Sequence, residues 1–337
     1  MKKLILIIFL IVSTIYNSFA EAPVIEKDVI SKRMVMVGFH ATDYKDEELN
    51  DLKDQIEKGL VAGVVFYGYN IESRKQVKRL IAELNRHNHS FIPLLMAVDE
   101  EGGRVQRLTV DKGFVEEPTA QYISKHMTPD QAEKVYELTA RDLADVGFNV
   151  NFAPVIDLNI NPSSPVIGAI ERSYSADVDT VVAYAKAFIN AHRKYGIITC
   201  LKHFPGHGSA KKDSHQGFTD VSTTWNDMEL EPFQRLIADG YADMIMTAHV
   251  YNSGIDPDYP ATLSKKTISL LQDMNYKGLV ISDDLQMGAI TDNYSFEDTV
   301  KLAVEAGNNI LLFSNYFFYE KHYPEKVRQV LGIPINQ

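Results

Sequence analysis

Residues 202–215 read KHFPGHGSAKKDSH: three histidines and an aspartate, punctuated by three glycine or proline turn formers. The stretch begins where an apolar run containing Ile197, Ile198, Cys200 and Leu201 ends. It is expected to be a loop leaving the end of a buried strand, where reactive groups are usually mounted. His215 is a natural proton carrier, because an imidazole titrates near neutrality, and Asp213 could orient it and stabilise its charged form. A second reactive carboxylate stands in Ser282-Asp283-Asp284-Leu285, directly after another apolar run. An aspartate so placed suits a nucleophile or an electrostatic stabiliser of an oxocarbenium ion, as cleavage of a glycosidic bond requires. Lys202, Arg107 and Arg172 would offer fixed donors to sugar hydroxyls, and Asp99 could accept from two at once. Serine or cysteine acyl transfer is disfavoured. No Ser stands in a nucleophile-elbow context, and Cys200 lies two residues before Lys202 in the same run, one layer down inside the fold.

These groups need a frame that brings distant segments to one rim. Eight apolar runs of strand length occur, at 34–39, 61–67, 92–98, 149–155, 197–201, 243–250, 278–282 and 309–313. Most are continuous rather than alternating, as in parallel strands covered on both faces. Between them lie helical patterns at 47–59, 73–87, 129–146, 179–195, 225–238, 264–274, 296–306 and 320–330. Thr128-Pro129 with Gln131, Ser264, and Ser295 with Asp298 read as helix starts, while Gly147 and Gly307 are among the glycines that stop helices. Strand and helix alternating eight times predicts a single (β/α)8 TIM barrel of the α/β class. An open doubly wound sheet would more usually show a dinucleotide fingerprint after its first strand, and none is present. In a barrel, the ends of the strands carry the site. Here Asp99, the loop with Arg172, Lys202 with His203, His249 and Asp283 all fall at such ends.

Residues 1–20 place two lysines before an apolar run, then a more polar stretch ending Ser18-Phe19-Ala20. This reads as a signal peptide cleaved after Ala20, leaving residues 21–337 as the catalytic barrel, periplasmic or secreted. The apolar run is short for a membrane span, which needs about 20 residues, so no integral span is expected in the mature chain. The net charge of −11 becomes −13 once Lys2 and Lys3 leave with the leader, which argues against nucleic acid or anionic membranes as partners. One cysteine allows no intramolecular disulfide. A monomer is expected.

The sequence resembles the family-3 glycoside hydrolases, and within them the single-domain exo-β-N-acetylglucosaminidases. The matching motifs are DEEGGRVQRL at 99–108, NFAPVID at 151–157, KHFPGHG followed by DSH at 202–215, MTAHV at 246–250 and DDLQMG at 283–288. They span nearly the whole barrel in the family's order. The His/Asp loop is the most specific, since the broader family-3 β-glucosidases take their acid/base from elsewhere. The resemblance implies a retaining, two-step mechanism without cofactor or metal. Asp283 matches the nucleophile, and His215 with Asp213 matches the acid/base. Asp99, Arg107, Lys202, His203 and Arg172 match positions that hold the non-reducing N-acetylglucosamine. The segment Gly168-Ala169-Ile170-Glu171-Arg172 departs from the family, whose loop arginine more often follows a Gly-x pair directly. The implied substrates are peptidoglycan fragments or chitin oligosaccharides.

Other polar residues of these motifs are expected to be structural: Asp284 as a hydrogen-bond partner at the barrel end, Arg104 and Glu100/Glu101 as buried ion partners, His207 as a shaper of its loop, Met287 as packing and Asp157 as support. His249 is divided between rim and site. Three other readings remain open on the residues alone. A metal-dependent hydrolase would use His203, His207, His215, His249 and Asp283 as ligands. A sugar-binding barrel would hold saccharide without cleaving it. A phosphorylase would exploit a histidine acid/base, which repels phosphate less than a carboxylate does.

Overall fold

The computed structural model describes residues 33–335; the expected leader, residues 1–20 with cleavage after Ala20, lies outside the described residues. The eight apolar runs form the parallel strands β1 (Val35–Gly38), β2 (Gly63–Phe66), β3 (Leu95–Val98), β4 (Val150–Asn151), β5 (Ile198–Phe204), β6 (Met244–Thr247), β7 (Leu279–Ser282) and β8 (Leu311–Phe313). They neighbour one another in the order β7-β6-β5-β4-β3-β2-β1-β8. The ring closes between β7 and β8 through the bridge Ile281–Ile310, with the Ser282 N–H donating to Ile310 O at 3.0 Å. Side chains complete this seam: Asn309 Oδ1 accepts from the Val280 N–H and Ser282 Oγ from the Leu312 N–H, each at 2.9 Å.

Successive strand residues point to opposite faces, which explains the continuous apolar runs. Val35 and Val37 face the helices, whereas Met36 points inward to a core shared with Val65, Leu95, Cys200, Met244 and Ile281. Truncating one of these inner residues to alanine would cost about 2–5 kcal/mol, because a closed barrel cannot collapse onto the void. Burial pushes the Cys200 thiol far above its usual range, so it is a packing residue.

The helices α1 (Leu49–Glu57), α2 (Arg74–Arg86), α3 (Pro129–Val146), α4 (Val178–Arg193), α5 (Glu231–Ala238), α6 (Lys265–Asp273), α7 (Phe296–Ala306) and α8 (Tyr323–Leu331) follow the eight strands in turn. Helix α3 starts at a capping box in which Thr128 and Gln131 satisfy each other's backbone N–H groups. It ends at Gly147, whose φ of 108° a side chain would resist. Ser264 and Ser295 cap α6 and α7 as expected.

Several boundaries differ from the sequence reading. The run 149–155 yields only a two-residue strand, since Pro154 has no N–H to donate and the chain rejoins the sheet by one bridge from Val155 to Lys202. The run 243–250 ends at Thr247, and Val250–Tyr251 pairs instead with Thr219–Asp220. The pattern 225–238 contains a 3₁₀ turn, Asp227–Leu230, before α5, whose first turn carries Pro232. Two short helices, Ala120–His126 and Gly288–Thr291, have no counterpart in the sequence pattern. Among the described residues, no helix is long and apolar enough to cross a membrane.

Candidate active site

Strand β5 runs on through Phe204, so Lys202 and His203 belong to the strand and the loop begins only at Pro205. The buried carboxylate of Asp157 anchors the end of this strand and the first turn of the loop. It accepts from the His203 ring at 2.6 Å, from the His203 N–H at 3.2 Å and from the His207 N–H at 2.8 Å. Burial would raise this carboxyl, but His203 and the other donors hold it below its usual range. Gly208 then passes against Leu158 so closely that a Cβ would lie 1.7 Å from its carbonyl oxygen; only glycine fits. His207 is buried in this turn, its Nε2 3.2 Å from Ser214 Oγ.

With Nδ1–H committed to Asp157, His203 turns Nε2 towards Arg172, whose Nη2 donates to it at 3.3 Å. Arg172 also clamps Glu101 with two bonds of 2.7 and 2.8 Å. Lys202 Nζ lies 2.6 Å from Glu101 and donates to Asp99 at 2.8 Å; the second oxygen of Asp99 stands 4.0 Å from Arg107. Burial would raise the Glu101 carboxyl, but Arg172 and Lys202 hold it well below the usual range. Burial would lower the Lys202 ammonium, but Asp99 and Glu101 outweigh it. The result is a chain of alternating charges along one wall of the site. The longer segment before Arg172 is accommodated by a 3₁₀ turn, Gly168–Ile170, and by a left-handed Glu171 with φ 58°.

Asp283 follows the last residue of β7, and its Oδ1 accepts from the Asp284 N–H at 2.8 Å. Burial would raise its carboxyl, but His249, His203 and His215 around it and the Asp284 N–H bring it down to about 2. It is therefore anionic at any ordinary pH, as a nucleophile must be. Asp213 caps the short turn Ser214–Gln216 and holds His215 twice, through the backbone N–H at 2.9 Å and through Nδ1 at 2.7 Å. That bond leaves Nε2 for proton exchange.

The eight residues singled out from sequence, Asp99, Arg107, Arg172, Lys202, His203, Asp213, His215 and Asp283, all line one cavity of about 370 Å³. Glu101 is the buried ion partner expected of it, but two neighbours differ from expectation. Arg104 is exposed. Glu100 pairs with no cation among the described residues: its Oε2 accepts from the Arg107 and Leu108 N–H groups at 2.8 and 3.0 Å, and burial pushes its carboxyl up to about 8. It fixes the backbone of Arg107, whose Nε is buried without an acceptor among the described residues. Asp284 accepts from both the hydroxyl and the N–H of Ser314, and burial raises its carboxyl to about 6. His249 is buried at the rim with Nδ1 at Thr262 and Nε2 at the Asp284 carbonyl, each 2.8 Å. Both its ring nitrogens are engaged, and neither it nor His207 lines the cavity that holds the other three ligands of the metal-hydrolase reading, His203, His215 and Asp283. Among the described residues, no group of three or more His, Cys, Asp or Glu is arranged to hold a metal ion.

Sequence reasoning missed the apolar and aromatic wall: Tyr67, Met246, Tyr316 and Phe317 also line the cavity. The one signal available was the run YFFY at 316–319, immediately beyond the last strand.

Residues 27–332 match the family described as glycosyl hydrolase family 3 N terminal domain. A β-hexosaminidase of Tolumonas auensis is 36% identical over 262 residues, covering 76% of this chain and 76% of its own. That of Haemophilus influenzae is 34% identical over 288 residues, covering 81% and 78%. Among solved structures, a glycoside hydrolase family 3 β-N-acetylglucosaminidase from Paenibacillus sp. superposes with TM-score 0.81 at 31% identity, over 92% of this chain and 58% of that one. NagZ from Neisseria gonorrhoeae, in complex with N-trifluoroacetyl-D-glucosamine, gives 0.74 at 28% identity, over 90% and 86%. A closed barrel with its acids and bases gathered at one rim, matched over nearly its whole length by this family, belongs to glycosyl hydrolase family 3.

Proposed function

We propose that this enzyme is a retaining exo-β-N-acetylglucosaminidase that removes the non-reducing N-acetylglucosamine from a β-linked glycoside. The observation that carries the reading is the meeting, in one cavity, of an aspartate held anionic and a histidine whose Nε2 is left open by its bond to Asp213. In the first step an Asp283 carboxylate oxygen bonds to the anomeric carbon. The bond to the leaving oxygen breaks, and that oxygen takes the proton from His215 Nε2. In the second, Nε2 takes a proton from water, the water oxygen bonds to the anomeric carbon, and the Asp283 carboxylate departs. Two inversions retain the configuration. Asp99, Arg107, Lys202, His203 and Arg172 hold the sugar during both steps. They suit the role because their charges are mutually balanced and already oriented, so little reorganisation is needed.

The β-hexosaminidase relatives and the NagZ complex support the acetamido sugar as substrate. With residues 1–20 as a signal peptide, the enzyme works outside the cytoplasm on peptidoglycan fragments or chitin oligosaccharides. N-terminal sequencing of the exported protein should find Glu21 first; an uncleaved Met1 would refute export by this route.

The reaction is tested with nitrophenyl β-N-acetylglucosaminide against the matching β-glucoside in chelator-containing buffer. Turnover of the acetamido sugar alone is expected, with kcat reduced roughly 10⁴-fold or more in Asp283→Asn. Turnover that survives this substitution would remove Asp283 from the mechanism. A histidine acid/base also leaves room for phosphate as the second-step acceptor. Product analysis in phosphate buffer decides this: sugar 1-phosphate would mark a phosphorylase, free N-acetylglucosamine a hydrolase.

A further inference from the structure

Residues 203–210 are buried, whereas Lys211, Lys212 and His215 are exposed, so the segment that carries the acid/base has an enclosed root and an outer limb. Two buried carboxylates hold the root. Asp157 accepts from the N–H groups of His203 and His207. The other is Glu229, 1% exposed, in the turn Asp227–Leu230. Its Oε2 accepts from the next two N–H groups along the chain, those of Gly208 at 3.0 Å and Ser209 at 3.3 Å. The contact is close, for a Cβ on Gly206 would lie 2.6 Å from that of Glu229. Trp225, just before this turn, donates from Nε1 to Pro205 O at 3.1 Å.

A carboxyl is costly to bury, and the cost is offset only where it is given donors. Glu229 spends its acceptor oxygen on the backbone of the segment that leads to His215. The path onward is short. His207, inside the doubly held stretch, places Nε2 3.2 Å from the hydroxyl of Ser214, the residue before His215. A shift of the root at Gly208 and Ser209 therefore displaces the His207 ring, and with it the turn on which the proton donor stands.

We propose that Glu229 is a positioning residue for the acid/base: by holding the Gly208 and Ser209 N–H groups it fixes the root of the loop, and hence the distance from His215 Nε2 to the leaving oxygen. This rests on the reading of the enzyme as a retaining glycosidase with His215 as proton donor. It goes further by assigning part of the acid/base geometry to a side chain that does not line the cavity.

The test separates proton transfer from the rest of the reaction. Methyl β-N-acetylglucosaminide must have its leaving oxygen protonated, whereas the dinitrophenyl glycoside releases a stable anion and needs no donor. In Glu229→Ala, kcat/KM for the methyl glycoside should fall about 10- to 100-fold, and that for the dinitrophenyl glycoside should stay within about threefold of wild type. Glu229→Asp, which keeps the charge but draws the oxygen back from the two N–H groups, should separate the substrates in the same direction. It takes the place of the alanine variant should that one not fold. Glu229→Gln should keep both values within about threefold of wild type. An amide oxygen still accepts, and burial already raises the Glu229 carboxyl to about 7, so a full charge is not what the anchor needs.

An equal loss on both substrates overturns the proposal, since Glu229 would then serve only the fold or the binding of the sugar. So does the absence of any loss, and so does a loss in Glu229→Gln as large as that in Glu229→Ala. Failure of the wild-type enzyme to cleave either glycoside would instead refute the hydrolase reading. Limited trypsin digestion of the native chain would then decide the anchor by itself. Cleavage after the exposed Lys211 and Lys212 should be at least about fivefold faster in the variant, measured against cleavage elsewhere in the chain; an equal rate overturns the proposal.

Discussion

Two aspartate–histidine pairs stand on the same rim with nearly equal hydrogen bonds, 2.6 Å for Asp157–His203 and 2.7 Å for Asp213–His215. In the first, both residues are buried, the histidine belongs to a strand, and the aspartate also anchors two backbone N–H groups. Its Nε2 faces Arg172, a group that can only donate. In the second, the side chain of His215 is 49% exposed, on a loop, and its Nε2 has no hydrogen-bond partner among the described residues. The same bond therefore serves opposite ends. Where the outer nitrogen is occupied by a fixed cation, the pair fixes the wall of the site and carries no proton; where it is open, the pair can move one. What a histidine does is decided by its second nitrogen, which no motif displays.

Substitutions can break this comparison from either side. The largest effect is expected from Asp157→Ala, which removes a buried carboxylate and leaves the His203 ring and two N–H groups unsatisfied. Denaturant unfolding should show a loss of about 3–5 kcal/mol. Because the folded-state pKa of Asp157 is depressed, its contribution is complete above the usual carboxylate range and is lost as pH falls through the folded value. The gap between variant and wild type should accordingly narrow in acid; a gap that widens there would contradict the assignment. His215→Ala should act the other way round. kcat on a disaccharide should fall roughly 10²- to 10⁴-fold, while unfolding moves by no more than about 0.5 kcal/mol. A large loss of stability would mean that this pair, too, is structural. Asp213→Asn sharpens the point with the smallest effect, about tenfold in kcat and again about 0.5 kcal/mol or less in unfolding.

The barrel was legible in the sequence because its strands are continuous apolar runs and five of its eight helices carry side-chain caps, both local signals. The eight residues lining the cavity were legible because they follow those strands or stand in motifs that the family shares. Three things were not. The supporting role expected of Asp157 is found, but its partners were not legible: the N–H groups of His203 at the end of β5 and of His207 in the loop beyond become its neighbours only once β4 and β5 lie side by side. The exposure of Arg104 beside the buried Glu101 follows from the tight hairpin of Glu100–Gly102 with Val105–Gln106, whose register shift turns neighbouring side chains apart. The aromatic wall draws Tyr67 from one loop and Tyr316 from another, with no periodicity to connect them.

The seam of the barrel lies directly beneath the chemistry. Strand β7 delivers Asp283, and β8 leads into the aromatic run at 316–319, so the proposed nucleophile and part of the cavity's aromatic wall hang on the two sides of the same joint. Part of that joint is made by the side chains of Asn309 and Ser282 rather than by the backbone ladder. Substitution at Asn309 or Ser282 would therefore loosen, from beneath the site, the joint from which the nucleophile and that wall both project.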